Sequence, residues 1–257
     1  MQHYRFLHVF IKTLKRQKMK NLKFTVVTLA ILAMSAGLNA QRWQSVRGDH
    51  NVVSKERKAG SFTGIRVSSG IDVYLTQGNK ESVAVEADEN LHEYIITEVK
   101  NGVLHVYSEA NIRDAESKKV YVTMKDIYSI TTTSAGDVVG ETPIKAEKLD
   151  LSASSAGNIN LEVDAEEVEV DISSSGDITL RGEADILDAN LSSAGDLNAF
   201  ELQVREAGVS ASSAGDADVN VTEKINARAS SAGDISYRGN PKFVNLHSSS
   251  AGGIRRR

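Results

Sequence analysis

Five aspartates follow a glycine in near-copies of one small polar phrase: Asp137, Asp177, Asp196, Asp216 and Asp234. The phrase reads TSAGD, SSSGD and then SSAGD three times, with SSAGN ending at Asn158 and SSAGG at Gly253. Carboxylates repeated beside glycine could ligate calcium if several oxygens converged. They could equally accept hydrogen bonds from turn N–H groups, as Asx turns do. Each copy supplies a single aspartate, with no second acid at a fixed offset. Asn158 keeps an acceptor without the charge, and Gly253 has neither. Such swaps suit turn capping better than a metal site. Carboxylates stacked ~5 Å apart would repel by only ~0.9 kcal/mol per pair in water.

A second column stands three residues before each glycine: Thr133, Ser154, Ser173, Ser192, Ser212, Ser230 and Ser249. A row of outward hydroxyls could form a surface ladder for sugars or ice, although short polar residues also suit the approach to a tight turn. Glycoside chemistry would need an acid and a base converging at one place. The acids Glu162, Asp164, Glu166, Glu167, Glu169 and Asp171 instead alternate along one strand-like stretch, as a solvated face does. His50, His92, His105 and His247 share no ligand spacing, and no G-x-S-x-G, HExxH or phosphate-loop pattern occurs. The chain therefore reads as non-catalytic and without cofactor or metal. A carbohydrate-active lyase or hydrolase and a calcium-stabilised surface repeat are the alternatives.

The elements that must carry these columns follow from the glycines. Gly136, Gly157, Gly176, Gly195, Gly215, Gly233 and Gly252 are separated by 21, 19, 19, 20, 18 and 19 residues. A near-constant period of this size marks a solenoid. Eight residues before each glycine stand Tyr128, Leu149, Val168, Leu187, Ala207, Ile225 and Val244. Six before stand Ile130, Leu151, Val170, Ala189, Val209, Ala227 and Leu246, and two after come Val138, Ile159, Ile178, Leu197, Ala217, Ile235 and Ile254. Apolar residues alternating with polar ones are strands with one buried face. The spacing predicts an all-β parallel β-helix with coils of about 19 residues, stacked ~4.8 Å apart. By the same parity, the serine two before each glycine (Ser134, Ser155, Ser174, Ser193, Ser213, Ser231 and Ser250) is expected to point inward. The glycine is expected to supply either a positive φ or a close backbone approach.

The N-terminal part differs. From Met19, the expected true start, Lys20 and Lys23 precede an apolar run from Phe24 to Met34 and a small-residue region ending at Ala40, the pattern of a signal peptide. Residues 1–40 are thus read as leader and signal peptide, 41–58 as linker, 59–125 as an irregular β-rich cap and 126–257 as regular coils. Residues 1–40 carry seven Lys/Arg and no Asp/Glu. The remainder has 23 basic against 34 acidic residues, a net of −11, which disfavours nucleic acid as partner. The chain has no cysteine, so neither disulfides nor cysteine lipidation contribute. Ser69-Gly70-Ile71-Asp72 resembles a worn corner, Asn101-Gly102 signals a hairpin, and ENLHEYIITEV (89–99) suits a short helical turn.

GSFTGIRVSSGIDVYLTQGNKESVAVEADENL, then ITEVKNGVLHV, then serial S-[AS]-G-D corners, resembles the head GIN domain family over about Ala59 to Ile254. That resemblance implies a right-handed β-helix in an exported, adhesin-type envelope protein of Bacteroidetes-type bacteria, and it brings no catalytic residues. Together these readings predict export to the periplasm or outer surface, with no membrane span in the mature chain. Contact with a glycan or an envelope component is expected. So is self-association through the last coil, whose SSSAGGIRRR ending leaves a strand edge without a polar cap.

Overall fold

A computed structural model describes residues Gln44–Arg257; the leader and signal peptide expected over 1–40 lie outside the described residues. In chain order the strands are β1 (Ser45–Arg47), β2 (Val52–Arg57), β3 (Gly64–Val67), β4 (Asp72–Gln77), β5 (Ser82–Asp88), β6 (Ile95–Lys100) and β7 (Val103–Ser108). Next come β8 (Asn111–Asp114), β9 (Lys118–Met124), β10 (Ser129–Thr132), β11 (Asp137–Gly140), β12 (Ile144–Ser154) and β13 (Asn158–Ser173). The last are β14 (Asp177–Leu191), β15 (Asp196–Ala211), β16 (Asp216–Ala229), β17 (Asp234–Arg238), β18 (Phe243–Ser248) and β19 (Gly253–Arg256). The helical content of the described residues is one 3-10 turn, Glu89–Leu91, within the stretch expected to hold it. None of their helices is long and apolar enough to cross a membrane.

The chain winds into a parallel β-solenoid of about 7 turns. Each coil has a strand before the corner and one after it, and both pair in parallel with their equivalents in the next coil. Asn158 lies opposite Asp177, Asp177 opposite Asp196, Asp196 opposite Asp216 and Asp216 opposite Asp234. The 20- and 18-residue spacings are absorbed locally. Register shifts fall between Thr179 and Arg181 and again between Ala199 and Gln203, leaving the corners aligned. The inward columns form one continuous core, with Leu149, Val168, Leu187, Ala207 and Ile225 all buried.

Two members of the eight-before column depart from expectation. Tyr128 is 53% exposed because β10 starts only at Ser129, and Ile127 fills the interior instead. Val244 is 50% exposed because no further coil covers it.

At the N-terminal end, stacking order and chain order part company. β3 and β4 are sandwiched: β3 pairs with β7 on one side and β10 on the other, and β4 with β9 and β11. The chain thus lays its second rung first, goes outward to build the first rung and its cap, and returns 65 residues later to the third. β6 and β7 form the hairpin expected at Asn101-Gly102, whose φ values of 52° and 77° are those of a primed turn. The segment expected as a linker (41–58) instead holds two strands: β1 pairs with β8, and β2 with β5 as an antiparallel edge. The apolar alternation there is too short to have shown it.

Asp88 ties that cap together. Fully buried, it accepts N–H bonds from Ser117 (3.1 Å), Glu116 (3.0 Å) and His50 (3.1 Å), linking the chain before β2 to the chain before β9. Burial alone would push its carboxyl up, but these donors outweigh it and hold the group below its ordinary value of 3.8. A depressed carboxyl stabilises the fold above its unfolded pKa and loses that contribution as pH falls through the folded one. Asp88→Ala is expected to cost about 3 kcal/mol at pH 7 by stranding three donors. In urea titrations the gap from the parent should narrow as pH drops below 3.8.

Candidate functional site

The repeated phrase is a β-turn whose two central residues both have positive φ. Ser134 and Ala135 sit at 52° and 58°, Ser155 and Ala156 at 52° and 60°, and the later copies match them. In each turn the glycine N–H bonds back to the carbonyl three residues earlier, as Gly157 does to Ser154 (3.0 Å). Strand alternation does not carry through two left-handed residues. The serines expected to point inward (Ser134, Ser155, Ser174, Ser193, Ser213, Ser231, Ser250) are therefore exposed, and the glycine takes the buried place.

Of the glycine's two expected roles, close approach is the one it fills. A Cβ on Gly176 would lie 2.5 Å from the Ala153 carbonyl oxygen, and one on Gly233 would lie 2.6 Å from that of Ala211. Left-handed Ser and Ala cost on the order of 1 kcal/mol or more each. Hydrogen bonds between coils hold them there: Ala156 N–H donates to Ser174 O (3.2 Å) and Ser175 N–H to Ser193 O (3.1 Å).

The aspartates Asp137, Asp177, Asp196, Asp216 and Asp234 stand on the outward side immediately after the turn. They do not cap it. The N–H groups of Ala135, Gly136 and Asp137 already go to the carbonyls of Ser155, Thr133 and Ile71. Asn158 interrupts the row and donates its amide to Asp137 Oδ1 (2.7 Å). Among the described residues, no three carboxylates or imidazoles gather closely enough to hold a metal ion. Partial burial, with Asp177 and Asp216 on either side, pushes the Asp196 carboxyl up.

The hydroxyl column occupies the first position of each turn. Thr133, Ser154, Ser173, Ser192, Ser212 and Ser230 are half-buried and Ser249 is exposed. On the same face, two residues before it, runs a column of Ser152, Asp171, Asn190 and Ser210. Between the two lies a shallow groove of about 340 Å³, floored by the backbone at Ile172 and Leu191, whose side chains are buried in the core, and edged by Ser173, Ser192 and Ser212. It adjoins a second hollow of about 430 Å³ that shares Asp171, Asn190 and Ser210 and reaches Asp188 and Arg228. The hydroxyl column was visible in the sequence as an isolated row. Its amide and carboxylate neighbours were missed, because their types change from coil to coil and no phrase repeats.

A larger trough of about 670 Å³ runs along the opposite bend, floored by Ala146, Ala165, Ala184 and Val204. Two ion pairs lie on its walls, Lys145 with Asp164 (3.1 Å) and Arg205 with Asp185 (3.2 Å), and Glu147, Glu166 and Glu183 line it as well. The polar face beside the corner carries the hydroxyl column picked out in the sequence and is the candidate for contact with an uncharged polar ligand.

Two stability tests follow from the corner. Gly233→Ala is expected to destabilise by about 2 kcal/mol or more, because backbone must move to admit the methyl. Ala232→Gly, at the φ 62° position, should instead be neutral or stabilising. Urea midpoints of the two variants check the pair. For Asp196, a raised carboxyl contributes stability below its unfolded pKa and loses it as pH rises through the folded value. Asp196→Asn should accordingly melt higher than the parent at pH 7, and the difference should vanish at a pH below 3.8.

The fold has counterparts. Over residues 61–241 the sequence matches the family described as "Putative auto-transporter adhesin, head GIN domain". No curated protein matches it. A solved "putative adhesin" from Bacteroides fragilis superposes with a TM-score of 0.78 at 23% identity, over 82% of this chain and 100% of that one. A "putative lipid binding protein" from Parabacteroides distasonis gives 0.70 at 23%, covering 83% and 100%. A "putative adhesin" from the same species gives 0.68 at 25%, also covering 83% and 100%. With the family match spanning well over half its length, this chain belongs to the head GIN domain family of adhesin-type β-solenoids.

Proposed function

We propose that this protein is an exported, non-catalytic adhesin or envelope scaffold that contacts glycans through the polar face beside its corners. The observation that carries the reading is the groove between the Ser173–Ser192–Ser212 column and the Asp171–Asn190–Ser210 column. Hydroxyl, amide and carboxylate groups recur there at the spacing of neighbouring strands, ~4.8 Å, close to the length of one sugar ring. Sugars are recognised by such planar polar groups, which both donate and accept hydrogen bonds. Shallow sites give weak single contacts. A row of them on a rigid rod gains strength through avidity against a repeating polymer. Family membership supports the adhesin class, and the signal-peptide pattern from Met19 to Ala40 supports export.

The test is a glycan array followed by calorimetry on the best hit. Asn190→Ala together with Asp171→Ala should weaken binding at least tenfold while leaving the far-UV circular dichroism unchanged. Binding that is indifferent to both changes would reject this face. Release of new reducing ends from a bound polysaccharide would reject the non-catalytic reading.

A further inference from the structure

Among the described residues the last coil is covered on one side: β18 pairs with β16 alone and β19 with β17 alone, which leaves the outer N–H and C=O groups of both strands without a backbone partner. The core columns surface there: Val244 and Leu246, which continue Ile225 and Ala227, are 50% and 40% exposed, and Phe243 beside them is 69% exposed. The other end of the solenoid is closed differently, by antiparallel β2 and β6 with Lys55, Glu56, Glu98 and Lys100 on the edges. No such charges lie along β18, whose sequence is FVNLHS. Every charged side chain that the last coil itself adds is basic, although Arg255 and Arg257 border a hollow that Asp216, Asp218 and Asp234 also line. Arg238, Lys242, Arg255, Arg256 and Arg257 follow Asp234, and no Asp or Glu does. Arg255 and Arg256 reach only neutral partners, Ser236 (3.3 Å) and Asn240 (3.2 Å). Inside the solenoid, by contrast, lysines pair with carboxylates one coil further on: Lys148 with Glu167 (3.0 Å) and Glu169 (2.6 Å), and Lys145 with Asp164 (3.1 Å).

We infer that the open edge of β18 and β19 is a strand-addition site for an extended segment of another protein, in which apolar residues alternate with acidic ones. Each feature of the edge asks for part of that partner. Unpaired backbone groups take an extended strand. Val244 and Leu246, two residues apart, take apolar side chains at every second position. Lys242, just before β18, and the arginines on and after β19 attract carboxylates on the added segment, as the interior coils do for their own lysines. A second copy of this chain offers no acidic strand edge to match: its own open end is equally basic, and its other end is mixed in charge.

Fluorescence anisotropy on the full chain tests this with a labelled peptide EEVEVDI, the sequence of residues 166–172, which has the required alternation. The comparison peptide carries lysine in place of each acid. The acidic peptide is expected to bind at least tenfold more tightly than the lysine one. Leu246→Lys should weaken binding at least tenfold without lowering the melting temperature, and Arg255→Glu with Arg256→Glu should weaken it at least threefold. Equal binding of both peptides, binding of neither, or indifference to Leu246→Lys would overturn the inference. Light scattering that showed a dimer lost in Leu246→Lys would assign the edge to a second copy instead. Binding to phosphatidylglycerol vesicles, lost in the same variant, would assign it to a lipid surface. Either result overturns the proposal.

Discussion

Backbone hydrogen bonding that does not stop at the corner is the constraint from which the rest of this solenoid follows. In a stack of coils every buried N–H and C=O needs a partner in the neighbouring coil, and a bend usually interrupts that ladder. Here the ladder passes through the bend: Asp177 donates to Gly157, Asp196 to Gly176, and Ala194 to Ser213. To stay in reach, the backbone at the glycine must press against the previous coil, so a methyl group has no room. To turn so tightly, the two residues before it must adopt left-handed conformations, so they must be small and unbranched. The phrase S-[AS]-G records both demands. The aspartate after it is the least constrained member, which fits its replacement by Asn158 and Gly253.

This division explains what was legible in the sequence. The period, the strand parity and the buried columns are properties of spacing, and spacing is written directly in residues such as Val168, Val170 and Ile172. The conformation inside the turn is not. Extending strand parity through Ser134 and Ala135 put the serine inside, because parity assumes extended backbone and these residues are left-handed. Assigning Asp137 to the turn N–H groups failed for a related reason: the turn itself had taken the Gly136 donor and neighbouring coils those of Ala135 and Asp137, and a neighbour across the stack is invisible to a local pattern. The groove columns were illegible because a mixture of Ser152, Asp171, Asn190 and Ser210 shares only polarity, and polarity marks any solvated face.

Regularity also places function. The interior of the rod is the same rung laid down repeatedly, so it offers little that differs from coil to coil. Variation sits in the outward positions flanking the corner and at the two ends. The proposed glycan contact draws on the first of these. The ends differ from one another, one sealed by antiparallel strands tied to Asp88, the other presenting its core columns in cross-section. The two surfaces proposed for contact, the flank and the β18–β19 edge, do not overlap.

The sandwiched rung of β3 and β4 bears on how the molecule assembles. Most neighbouring coils here are joined by 18 to 21 residues, so each can zip onto the last soon after it forms. The rung at Asp72 meets Asp137 only after 65 residues have been arranged around it. Closing that longer loop costs about 1 kcal/mol more than closing a regular coil, by the logarithmic dependence on length. Although it is made early, the β3–β4 rung gains its second neighbour only then. The repetitive array is the natural nucleus, and the threaded N-terminal block sets the pace of folding.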